Sequence, residues 1–92
     1  MDLGLKGKVA FVAAASQGLG RAVADELANE GASLIINSRS EDNVRAVCEE
    51  IRNKTRVEAL PADGDLSKTG DVLRVINEGL AQFRKMDILV TN

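Results

Sequence analysis

Ninety-two residues suffice for one compact domain with a thin core, and 45% hydrophobic with 28% charged residues is the composition of a soluble α/β protein rather than a disordered or fibrous one. Twelve basic residues against fourteen acidic ones leave a net charge of -2, with neither sign gathered into a block, so neither nucleic acid nor a membrane surface is an expected partner. The apolar runs are too short to span a bilayer and the N-terminus lacks the regions of a signal peptide; a cytoplasmic protein is expected.

Val9 to Ala14 is a continuous apolar run of the kind found in a parallel strand covered on both faces. From Leu19 the pattern turns helical, with Ala22, Val23, Leu27 and Ala28 apolar and Gly31 where a C-cap belongs. Leu34-Ile35-Ile36 is a second strand, ended by the polar Asn37-Ser38-Arg39-Ser40. Ser40 can cap a second helix, whose first turn carries Glu41 and Asp42 and whose buried face is Val44, Val47, Cys48 and Ile51. Val57 to Leu60 reads as a short third strand broken by Pro61 to Gly64. Val72, Val75, Ile76, Leu80 and Phe83 form a third helical stripe with Gly79 as a weak spot inside it. Ile88 to Thr91 is the fourth strand.

The order β-α-β-α-β-α-β, folded with right-handed crossovers, predicts a parallel sheet with helices on both faces, strand order 3-2-1-4, as in the first half of a Rossmann-type doubly wound domain. In such a sheet the ligand crevice opens where the strand order reverses, between strands 1 and 4, and later strands build its other wall.

Gly18 and Gly20 stand between the first strand and the first helix. Glycines there let the backbone approach a phosphate, while unpaired N–H groups and the positive end of the helix dipole face the anion. An acidic side chain about 20 residues beyond the glycines would accept from both ribose hydroxyls, whereas an arginine would accept a 2'-phosphate. Here that stretch is Ser38-Arg39-Ser40, with no carboxylate, and Arg39 carries donors suited to a phosphate fork. NADP(H) is therefore expected in preference to NAD(H), with hydroxyl donors added by Ser38 and Ser40. Cys48, beside Glu49 and Glu50, reads as a packing residue, and with no histidine and no second cysteine no metal site is expected.

The chain resembles the N-terminal half of a short-chain dehydrogenase/reductase. That family's Thr-Gly-x-x-x-Gly-x-Gly fingerprint lies over Ala13-Ala14-Ala15-Ser16-Gln17-Gly18-Leu19-Gly20, and further matches are "LKGKV", "GRAVADELANEGA", "NSRS", "DLS" and "DILVTN". Ala13 and Ala14 replace the family's Thr and first Gly. Because Ala in a left-handed conformation costs roughly 1–2 kcal/mol, ordinary right-handed dihedrals are expected at Ala14. Its methyl group would narrow the space beside the adenine ribose without closing the pyrophosphate site. The resemblance implies cofactor contacts at Ala14, Ser16, Gln17, Gly18, Leu19 and Gly20, an adenine contact from Asp65 and the Leu66 amide, with Asp63 competing for the aspartate role, and a ribose contact from Asn92.

The resemblance further implies hydride transfer to a small carbonyl or alcohol substrate, similarity to 3-oxoacyl-[acyl-carrier-protein] reductases, and a homo-oligomer if full length. The family's catalytic Ser, Tyr and Lys lie beyond residue 92, and the chain contains no tyrosine, so no residue here is assigned a catalytic role. The expected organisation is a dinucleotide-binding half-domain, residues 1–92, of a longer reductase. The competing reading is a free-standing half-fold that binds a nucleotide or a partner protein without chemistry.

Overall fold

A computed structural model of the chain describes residues 4–13 and 18–91. Four parallel strands, β1 (Val9–Val12), β2 (Ser33–Ser38), β3 (Ala59–Asp63) and β4 (Ile88–Val90), lie in the order β3-β2-β1-β4. They alternate with α1 (Gly18–Asn29), α2 (Glu41–Thr55) and α3 (Thr69–Phe83). This is the predicted Rossmann-type order.

The register explains how a sheet of short strands makes two cores. Ala10 pairs with Leu34 and Val12 with Ile36, and these side chains face α1 and α2, where Ala24, Ala28, Val44, Cys48 and Ile51 close over them. The alternate residues Val9, Phe11 and Ile35 face α3 and pack with Ala62 and Val75. Burial on both faces is why β1 and β2 read as unbroken apolar runs. Asp87 seals the start of the sheet: its Oδ2 accepts from the Val9 N–H at 2.8 Å while its own N–H reaches the Val9 carbonyl at 2.8 Å.

Several element readings need correction. β1 ends at Val12 rather than Ala14, β2 continues through Asn37 and Ser38, and β4 stops at Val90. β3 runs from Ala59 to Asp63, through Pro61, instead of ending before it. Leu34 N–H donates to the Glu58 carbonyl and Gly64 N–H to the Ser38 carbonyl, both at 2.9 Å, so the even-numbered residues of β3 present their backbone to β2. Pro61, paired opposite Ile36, has its missing N–H on the outer side of an edge strand, where proline costs no ladder bond.

Gly79 is likewise no weak spot. It is buried, and a Cβ there would lie 2.5 Å from Cδ1 of Ile35, so glycine is what lets α3 settle on the sheet. The helix is rotated accordingly, leaving Leu80 41% exposed instead of in the stripe. On α1 the buried residues are Gly20, Ala24 and Ala28, with Val23 and Leu27 half-buried and Ala22 exposed. α2 follows the reading closely: Ser40 Oγ accepts from the Asn43 N–H at 3.3 Å as its N-cap, and its buried face is the expected one. Among the described residues no helix is long and apolar enough to cross a membrane.

Candidate functional site

In a parallel sheet all strands end on one edge, and that edge gathers the residues singled out by sequence. The start of α1, the segment Ser38 to Ser40 at the end of β2, the segment Asp63 to Leu66 at the end of β3 and Thr91 after β4 all lie there. Ala14, Ser16, Gln17 and Asn92 fall outside the described residues, as does the dihedral expectation for Ala14.

Gly18 begins α1 with φ of +66°, a left-handed conformation that favours glycine, and among the described residues a Cβ placed on it would meet nothing within 4 Å. The backbone there is thus open to an approaching ligand. No acidic residue occupies the first turn of α1, so the positive end of its dipole is not neutralised by a carboxylate of that turn. Arg21, a cation in an unfavourable place, is held elsewhere: Nε donates to Asp25 at 3.0 and 3.2 Å and Nη2 to Glu50 at 2.7 Å. Chiefly the Glu50 hydrogen bond pushes its pKa above the ordinary value, and the group ties α1 to α2. Leu19 projects into solvent, while Gly20 joins the buried side of α1.

After β2, the Ser38 Oγ accepts from the Ser40 N–H at 3.3 Å, and the Ser40 hydroxyl is the α2 cap. Both act as acceptors in these bonds, which leaves each O–H proton to donate. The Arg39 side chain is 82% exposed, with Nη2 3.9 Å from Oδ1 of Asp65, an ion pair across the ends of β2 and β3. Asp65 Oδ1 also accepts from Ser67 N–H at 2.9 Å and Ser67 Oγ at 2.7 Å, and the Ser67 bonds hold its carboxyl below the usual carboxylate range. Among the described residues it is Asp65, rather than Asp63, that stands beside Arg39. The Leu66 amide makes no hydrogen bond within the described residues, and the Leu66 side chain packs under the α3 face.

Asn37 was not singled out by sequence. It is 3% exposed, and its Nδ2 donates to the carbonyls of Ala62 at 3.0 Å and Gly64 at 3.3 Å, fastening β2 to the segment that carries Asp65. The signal available was a lone amide directly after an apolar strand, which reads equally well as the start of a loop. Cys48 is packed as expected: burial pushes its thiol up to about 11, which keeps it protonated at neutral pH.

A second feature lies to one side of this edge. An apolar groove of about 490 Å³ follows β4 and α3, lined by Phe11, Val72, Val75, Ile76, Ile88 and Leu89 among others. It offers little to a polar ligand, and we place the candidate site at the strand ends, where the donors are.

Residues 8–92 match the profile of the short chain dehydrogenase family. The chain belongs to that family. Among curated relatives, this short-chain dehydrogenase chain is 39% identical over 87 residues to dehydrogenase/reductase SDR family member 4 of Caenorhabditis elegans, covering 95% of this chain and 34% of that protein. It is 42% identical over 89 residues to a hydroxynaphthalene reductase-like protein of Metarhizium brunneum, covering 96% and 33%. Among solved structures, L-sorbose reductase from Gluconobacter frateurii, complexed with NADPH and L-sorbose, superposes with a TM-score of 0.97 at 33% identity, covering 100% of this chain and 35% of that one. The chain therefore spans about a third of the length of the relatives it matches.

Proposed function

We propose that these residues form the NADP(H)-binding part of a longer short-chain reductase, one that moves a hydride between nicotinamide and a small carbonyl or alcohol substrate. The observation that carries the reading is the composition of one sheet edge: an open left-handed glycine at a helix start and, across it, an arginine where a carboxylate would select NAD(H). The relatives support it, since one solved neighbour is a reductase complexed with NADPH and another is described as an NADPH-dependent reductase.

The residues fit such a dinucleotide. The Gly18 backbone and the first amides of α1 would hold the pyrophosphate, with Gly20 keeping the helix close to the sheet. Arg39 would fork onto the 2'-phosphate, with donors from Ser38 and Ser40 beside it. The Asp65 carboxylate would accept from the adenine amino group and the Leu66 amide would donate to a ring nitrogen. Ala14, Ser16, Gln17 and Leu19 would line the turn, and Asn92 would lie by the ribose. When bound, the cofactor supplies the hydride; this chain's own residues bind and orient, and the proton donor must come from residues other than these.

The β4 edge supports the longer protein. Leu89 is 67% exposed and the apolar groove runs beside it, a surface that further polypeptide would cover. The test is to measure NADPH and NADH dissociation constants for the full natural protein, together with its intact mass. NADPH binding at least tenfold tighter than NADH is expected. Equal or reversed affinities refute the cofactor choice, and a mass equal to that of these residues alone refutes the longer reductase.

A further inference from the structure

The backbone between Ala62 and Asp65 is held by side chains at every step. Nδ2 of Asn37 takes the Ala62 and Gly64 carbonyls at 3.0 and 3.3 Å, Nη2 of Arg74 takes the Asp63 carbonyl at 2.7 Å, and Oδ2 of Asp71 accepts from the Asp65 N–H at 2.8 Å. Three consecutive carbonyls and the next amide are thus fixed from two elements, β2 on one side and α3 on the other.

Asp71 and Arg74 share one face of α3 and are themselves held. Arg74 lies 3.8 Å from Asp71 and 3.3 Å from Glu78, so the positions i, i+3 and i+7 form one charged row. Gly64 is the point of closest approach: a Cβ there would lie 3.0 Å from Nη2 of Arg74, 3.3 Å from Cγ1 of Val75 and 3.5 Å from Cβ of Asp71. The row's hydrogen bonds to the segment go to its backbone, yet the segment ends in the Asp65 carboxylate and the Leu66 amide.

We infer that Asp71 and Arg74 are positioning residues for the nucleotide: by clamping the Asp63 carbonyl and the Asp65 amide, they present Asp65 and Leu66 to the adenine already ordered. The inference rests on the nucleotide reading proposed above. Ordering the segment before binding removes a cost that a loose segment would add to the binding free energy. Glu78 supports the arrangement by accepting from Nη1 of Arg74 at 3.3 Å while Nη2 holds the Asp63 carbonyl.

The experiment is calorimetric titration of the full natural protein with adenosine 2',5'-bisphosphate, which probes the adenine end without redox chemistry. Arg74→Ala and Asp71→Ala are expected to weaken binding roughly 3- to 10-fold, from the cost of ordering the released segment on binding. Arg74→Lys and Asp71→Asn, which keep a donor and an acceptor in place, should retain most of the affinity. Should one alanine variant fail to fold, the other carries the comparison. Unchanged affinity in the alanine variants, or equal losses in the conservative ones, overturns the positioning role. A wild-type protein that does not bind the bisphosphate overturns the nucleotide reading itself, and this inference with it.

Discussion

Gly18→Ala separates the demand of the fold from the demand of the ligand at one position. Gly18 has φ of +66°, so any side chain pays the left-handed penalty, about 1–2 kcal/mol for alanine. The described residues add no steric cost, because none of them lies within 4 Å of the new Cβ. A urea titration of the full natural protein should therefore show a stability loss of about 1–2 kcal/mol and no more. Nucleotide binding should suffer on different grounds: the methyl group projects into the open space through which a pyrophosphate would approach. Displacing that contact is expected to weaken NADPH about 10- to 100-fold, or about 1.4–2.8 kcal/mol. The change in NADPH fluorescence on titration with protein measures it. A variant that loses the expected stability yet binds NADPH as tightly as the wild type would show that no phosphate comes near Gly18, and would remove the pyrophosphate assignment.

Arg39→Ala should weaken NADPH by about 1.5–3 kcal/mol, the loss of hydrogen bonds to a charged group, and leave NADH nearly unchanged; parallel titrations decide it, and equal weakening of both would remove the specificity claim. Arg56 closes α2 with φ of 65°, its N–H returned to the Arg52 carbonyl at 2.9 Å, so Arg56→Gly should stabilise by about 1 kcal/mol in urea, and a loss of stability would contradict the strain argument. The Asp87 carboxyl is held below its usual range, first by the Val9 N–H and then by Lys85. Its contribution is therefore complete above the ordinary carboxylate pKa of about 4 and disappears as pH falls through the lowered value, so Asp87→Asn should flatten the acid side of the stability–pH curve. An acid limb identical to wild type would show that Asp87 is not one of the groups that titrate on unfolding.

The existence of each element, and the cap and buried face of α2, are legible because their signals are local. Ser40 bonds to Asn43 three residues on, and Val44, Val47, Cys48 and Ile51 recur at the spacing of one helix face, which is the buried one. What was misread depended on neighbours distant in sequence. Pro61 looks like a strand breaker until the register places its nitrogen on the outer edge of β3. Gly79 looks like a helix defect until Ile35, from another element, is seen to fill the space of its missing side chain. Periodicity places Leu80 in the apolar stripe because it fixes the stripe's spacing but leaves its centre to packing, and the close approach at Gly79 turns the helix so that Leu80 is exposed.

The site divides along the same line. Gly18 and Arg39 can be proposed from sequence because a strand end followed by a turn exposes backbone donors and side chains whatever covers the rest of the sheet, and Asp65 is proposed through the family resemblance. Asn37, Asp71 and Arg74 are not, because each acts on a backbone group it reaches only after folding: Asn37 on Gly64 from β2, Arg74 on Asp63 from α3. A buried amide and two partly exposed charged residues carry no mark of that task in the sequence. The groups that would meet a nucleotide lie where the chain turns, and the groups that hold them still lie on the elements packed behind.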